Sequence, residues 1–144
     1  MDYFGAFAIS ASGMSVEKTR LDVVALNLAN VHSTRTAAGT LYQPLTVISG
    51  AKPGAFAAAL AGASSAALGA QVHDVRPVPA PPRLVHEPGH PDADAKGFVA
   101  YPGVNTLNEM VTMIAATRAY EANVAALNAA RVMALRALEI GGNR

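Results

Sequence analysis

The sequence predicts a mainly α protein: long N- and C-terminal helices form a coiled-coil-like layer, with a small extended or β insert between them. Three observations lead there. The stretch from Thr106 to Ile140 contains neither Pro nor Gly. A second apolar helical pattern occupies Tyr3 to about Val31. The segment between them is rich in turn residues and in short β-branched runs. The expected division is 1–34 for the N-terminal helix, 35–104 for a partly flexible insert and 105–144 for the C-terminal helix.

In the N-terminal pattern, Phe7, Ala11, Met14, Leu21, Ala25 and Leu28 recur at helical spacing, and Lys18 lays its aliphatic stem on the same line. Gly5 and Gly13 weaken its early turns by about 1 kcal/mol each relative to Ala, so the beginning is expected to order against a neighbour. Asn27, Asn30 and the polar run His32 to Thr36 end the helix near Asn30. Leu41–Ile48 reads as a short strand that Pro44 confines to an edge. Residues 49–69 are an Ala, Gly and Ser tract, too diluted by Lys52, Pro53 and Gly54 for a membrane span and expected to be flexible. Ala70–Val78 reads as a second strand, PVPAPPRLV as a proline-held connector, and Phe98–Tyr101 as a brief strand.

In the C-terminal stretch, Thr106 and Glu109 form an expected capping box, and Gly141 and Gly142 an expected stop. The helix would rise roughly 50 Å at about 1.5 Å per residue. Met110, Met113, Thr117, Tyr120, Val124, Leu127, Arg131, Ala134 and Leu138 follow one line along it. So long a helix needs a partner of similar length. Arg118 with Glu121, and Arg136 with Glu139, lie three apart; each is either a water-facing pair that adds about 0.2–0.5 kcal/mol to the helix or a pair that orients neighbouring helices.

Composition narrows the function. Hydrophobic residues make up 51% of the 144, but many are Ala; aromatics are 6% and Trp is absent, so large core anchors are scarce. Charged residues at 15% fall below the usual quarter or so, which suits a surface packed in an assembly. A net charge of +1 argues against nucleic acid or anionic lipid as a partner. No Cys is present, so there is no disulfide or thiolate site. Without a basic start and apolar block, no signal peptide is expected. That pattern fits a cytoplasmic protein, or one exported by a route that removes nothing.

His86-Glu87-Pro88-Gly89-His90 matches the H-E-x-x-H pattern of zinc peptidases. That motif needs a helix to bring both His to one face, and Pro88 and Gly89 oppose one. Asp92 and Asp94 add oxygen ligands only to a loop, so a tight turn is expected in place of a metal site. No nucleophile elbow, phosphate loop or paired-Cys signature occurs. Hence no catalytic residue, metal, cofactor or small-molecule substrate is expected.

The run LDVVALNLANVHSTRT, through Leu26, Asn27, Ala29, Asn30 and Thr34, resembles the motif of bacterial flagellar axial proteins. The run from His86 to Gly141 resembles the flagellar basal-body rod protein C family. The matching positions include Pro88, His90, Pro91, Asp92, Ala93, Asp94, Gly97, Val99, Pro102, Val104 and Asn105. They continue through Glu109, Met110, Met113, Arg118, Tyr120, Glu121, Asn123 and Asn128. Phe98 and Gly103 depart from the family's Tyr and Asn, and the loss of the Asn side chain suggests a looser joint there.

The resemblance implies a proximal-rod subunit, passed uncleaved through the flagellar type III export apparatus and polymerised in the periplasm into a torque-transmitting shaft. The implied partners are other rod and rod-base proteins, copies of itself and the surrounding rings. The expected assembly face comprises Leu21, Asn27, Leu28, Asn30, Met110, Met113, Thr117, Tyr120, Glu121, Val124, Leu127 and Leu138. The competing reading is a small helical adaptor whose C-terminal helix docks in a partner's groove, which leaves the N-terminal seam unused.

Overall fold

In a computed structural model, which describes residues 3–37, 39–52 and 69–142, two helices bracket two small hairpins. Helix α1 spans Tyr3–Ala29, strands β1 and β2 span Leu45–Ala51 and Ala70–Pro77, β3 and β4 span Arg83–His86 and Phe98–Tyr101, and α2 spans Thr106–Gly142. The mainly helical plan with a β insert matches the sequence reading. The expected flexibility of the Ala-rich tract concerns residues that mostly lie outside those described.

Gly13 of α1 faces Asn123 of α2 so closely that a Cβ there would stand 2.7 Å from the Asn123 Oδ1. Near the other end, Val24 and Thr112 line one small cleft. The two helices therefore run antiparallel. Gly13 is a weak helix former placed where the crossing leaves no room for a side chain. Asn123 holds its amide by donating from Nδ2 to the Ala119 carbonyl at 2.8 Å. By the same register Tyr3 lies level with about Met133, and the last turns of α2 run on past it.

The interhelical contact is built from small residues, Gly13 on α1 with Ala116 and Ala130 on α2. Val16, Val23 and Val24 of α1, with Ala116 and Ala130 of α2, are the buried apolar side chains of the two helices. Ala11, Lys18 and Ala25, on the line read from sequence, are exposed; Phe7, Met14, Leu21 and Leu28 are half-buried. The chain thus turns a neighbouring line, Val16, Val23 and Asn27, toward the β1–β2 hairpin, and Gly13 and Val24 toward α2. With apolar residues on several sides, periodicity alone does not choose between the lines.

Strand β1 pairs antiparallel with β2, from Leu45 opposite Pro77 to Ala51 opposite Ala70, with a bulge between Ile48 and Ser49. Pro44 immediately precedes β1 and accepts from the Val78 N–H at 2.8 Å, so its missing donor costs the ladder nothing. Strands β3 and β4 pair from Arg83 with Tyr101 to His86 with Phe98. The run expected to be only a connector therefore ends as a strand: past Pro82 the N–H groups return and Arg83–His86 finds a partner edge. Val99 in β4 is fully buried and Tyr101 nearly so.

Two helix ends differ from expectation. The cap of α2 is Asn105, one residue before Thr106: its Oδ1 accepts from the Asn108 N–H at 3.1 Å and its carbonyl from the Glu109 N–H at 3.0 Å. An Asn carbonyl at that position satisfies the free amide directly. Gly141 and Gly142 lie inside the helix and not beyond its end.

Candidate assembly interface

Where α1 meets the insert, the polar residues of the N-terminal motif act as clips. Asn27 is fully buried. Its Nδ2 donates to the Leu45 carbonyl at 2.9 Å, and its Oδ1 accepts from the Leu45 N–H and the Tyr42 hydroxyl, each at 2.8 Å. One amide thereby stands in for a strand partner and fixes where β1 begins. Asn30 donates to the Leu26 carbonyl at 2.9 Å and accepts from the Ser33 hydroxyl at 3.0 Å, turning the chain out of the helix.

The same turn is held from the other side by the β3–β4 loop. Asp92 accepts from the Thr34 hydroxyl at 2.8 Å and forms an ion pair with Arg35. Its own N–H donates to the His90 Nδ1 at 3.0 Å, which makes that ring nitrogen an acceptor. Asp94 Oδ1 accepts from the Lys96 and Phe98 N–H groups, both at 2.8 Å, and Gly97 takes a positive φ of 77° to close the turn. The two segments that carry the family likeness thus meet through Thr34 and Asp92.

The zinc-peptidase pattern is dispersed by this hairpin. His86 packs edge-on against Phe98 with ring centroids 5.1 Å apart, while Glu87 accepts from the Tyr101 hydroxyl at 3.0 Å. With His90 engaged by Asp92, the three residues serve three different partners. Among the described residues no three His, Asp or Glu side chains are grouped to hold a metal ion. The Glu87 hydrogen bond, with burial, raises the Tyr101 phenol pKa. Burial, then the Glu109 charge, raises that of Tyr42.

Gly103 closes the joint between β4 and α2. A Cβ there would press on the Pro81 carbonyl oxygen and stand 2.8 Å from the Ala80 Cβ. The departure from Asn therefore does not loosen this joint. The backbone of Ala80 and Pro81 fills the space a side chain would take.

The outer surface of α2 contrasts with these clips. Leu107, Met110, Val111, Ile114, Val132, Met133, Leu135, Leu138 and Ile140 are all at least half exposed. Of the residues expected at the assembly face, Met110, Thr117, Tyr120, Glu121 and Leu138 are exposed. Leu21, Leu28, Asn30, Met113, Val124 and Leu127 are half-buried, and Asn27 is enclosed within the chain. The sequence line missed Ile114, Val132 and Leu135, which lie to one side of it. Arg118–Glu121 and Arg136–Glu139 are not among the ion pairs of the described residues, which are Arg20–Glu17 and Arg35–Asp92. No described helix is long and apolar enough to cross a membrane.

Two long helices, the first clipped to the insert by polar groups, with large apolar side chains left outside, define a class: a helical subunit of an assembly. The comparisons give the family. Residues 95–140 match the model of the flagellar basal body rod FlgEFG protein C-terminal region. The chain is 37% identical to flagellar basal-body rod protein FlgC of Bacillus subtilis, covering 98% of this chain and 99% of that one. It is 39% identical to the protein of that name from Escherichia coli O157:H7 at the same coverage, and 35% to that of Aquifex aeolicus, covering 96% and 97%. The chain belongs to the flagellar basal-body rod protein C family.

Proposed function

We propose that the chain is a structural subunit of the flagellar basal-body rod, in its proximal part, and that it polymerises through its terminal helices. The observation that carries this is the row of apolar side chains along α2, including Leu107, Ile114 and Val132, which the chain's own α1 does not cover. A monomer gains nothing by leaving such a row in water. Buried between subunits, the row resists twisting because many contacts must slip together. The interior of one chain is correspondingly slight, as suits a subunit that unfolds to pass an export channel before it assembles in the periplasm. Other rod proteins, a rod-base protein and further copies of the chain are its partners on this reading, with the type III export apparatus met in transit and the rings surrounding the finished rod. The assembly face takes in Leu21, Leu28, Met110, Thr117, Tyr120, Glu121 and Leu138, and Asn27 and Asn30 hold the turn that presents it. Deleting the gene in the organism that encodes it, and imaging the basal bodies, tests the role. Basal bodies that stop short of a rod are expected, whereas complete rods in the deletion strain contradict it.

A further inference from the structure

The outward faces of both helices carry exposed charges. Lys18 and Asp22 on α1 are exposed, as are Arg118 and Glu121 on α2. None of the four belongs to an ion pair among the described residues. On each helix the base precedes the acid, the weaker orientation for a pair within one helix. Arg118 and Glu121, with Met113, Ile114 and Thr117, line a recess of about 420 Å³ on the outside of α2. Ala11, Ala25 and Ala29 are exposed beside Lys18 and Asp22, and Leu26 flanks Asp22 on the other side.

We propose that this recess receives the outward face of α1 from a second copy, running antiparallel, with Lys18 against Glu121 and Asp22 against Arg118. The proposal rests on the rod-subunit reading and assigns one of its contacts. Charge order sets the direction, because a parallel approach would bring Lys18 to Arg118 and Asp22 to Glu121. In the antiparallel register Ile114 falls over Ala25 and Met110 over Ala29, so large side chains meet small ones and the helices can approach closely. Exposed ion pairs add little affinity; they choose the register and reject wrong ones.

The geometry has a consequence for assembly. Within each copy α1 and α2 are antiparallel, so an antiparallel contact between copies leaves both pointing the same way. The contact uses different faces on the two partners and therefore propagates instead of closing on itself as a two-fold dimer. Inside one chain Gly13 stands opposite Asn123, whereas the proposed pairing sets the neighbour's α1 three to four residues along α2, an axial offset of roughly 5 Å. Arg136 and Glu139 repeat the base-then-acid order farther along α2, but the recess lies at Arg118 and Glu121.

The absence of native Cys allows a direct test. Two copies of the gene, one with Lys18→Cys and one with Glu121→Cys, are expressed together in the organism's cells. Purified basal bodies are treated with a short thiol-to-thiol cross-linker. A cross-linked dimer is expected, and its loss when Glu139→Cys replaces Glu121→Cys. A dimer through Glu139 only, or none although both copies are present in the basal bodies, overturns the pairing and leaves the rod reading standing. Absence of the unaltered chain from basal bodies overturns both. If the Cys copies fail to enter, charge exchange decides: incorporation lost with Lys18→Glu should return with Lys18→Glu plus Glu121→Lys, and failure to return overturns the pairing.

Discussion

The junction between α1 and the two hairpins, and the outer face of α2, treat their side chains in opposite ways. At the junction small polar groups are enclosed and matched: Asn27 is fully buried, and no buried side-chain polar atom among the described residues lacks a partner. On α2 large apolar groups are displayed, with Leu138 at 71% and Ile140 at 81% exposure. The first arrangement fixes how one chain folds. The second leaves stabilisation to be gained only when chains meet. Stability and assembly are therefore separable in this molecule, and substitutions should divide along that line.

The largest loss of monomer stability is expected at Asn27→Ala, which strips partners from the Leu45 backbone and the Tyr42 hydroxyl at once. Chemical denaturation should show a cost of roughly 3 kcal/mol, since each buried polar group left unmet costs about 1–3 kcal/mol. An unchanged midpoint would mean that the clip does not hold the insert. Gly103→Ala follows, at about 1–3 kcal/mol from forcing a methyl group against the Pro81 carbonyl, read by thermal unfolding. Wild-type stability in that variant would break the account of a joint closed by backbone.

Asp92→Ala comes next. Losing the Thr34 hydrogen bond and the partly exposed Arg35 pair should cost about 1 kcal/mol and speed amide exchange in the turn after α1. Retained exchange protection there would separate the hairpin loop from the junction. The smallest effect concerns pH. The Tyr101 pKa is raised above the ordinary 10.0 in the fold. The stabilisation it contributes is fully present below that ordinary value and is lost as pH rises through the raised one. Tyr101→Phe should flatten that alkaline decline in a stability-against-pH series; an unaltered decline would remove Tyr101 as its source.

Much of the junction's outline was legible in the sequence, but its wiring was not. Phe98–Tyr101 and the start of β2 at Ala70 follow from alternation and flanking turn residues. The end of α1 follows from the polar run after Leu28. Asn27 read as a weak continuation of a helix, because nothing local reveals that a strand 18 residues later will meet its amide. Arg83–His86 became a strand only through pairing with β4, a contact across the chain that a proline-rich run conceals. On α2 the difficulty is of another kind. A helix apolar on most sides has several acceptable seams, and burial by α1 decides among them. The rotation from Met110, Thr117 and Leu138 toward Ala116, Asn123 and Ala130 is that decision.

Ile114→Asp tests the separation of fold from assembly most directly. Ile114 is 59% exposed and lines the outer recess of α2, so a charge there disturbs little within one chain. Incorporation into purified basal bodies should be compared with the helix content and unfolding midpoint of the purified variant. The expected result is a monomer as stable and as helical as wild type that is missing from the rod. Normal incorporation and motility would contradict the claim that the displayed face of α2 is where copies and neighbours meet.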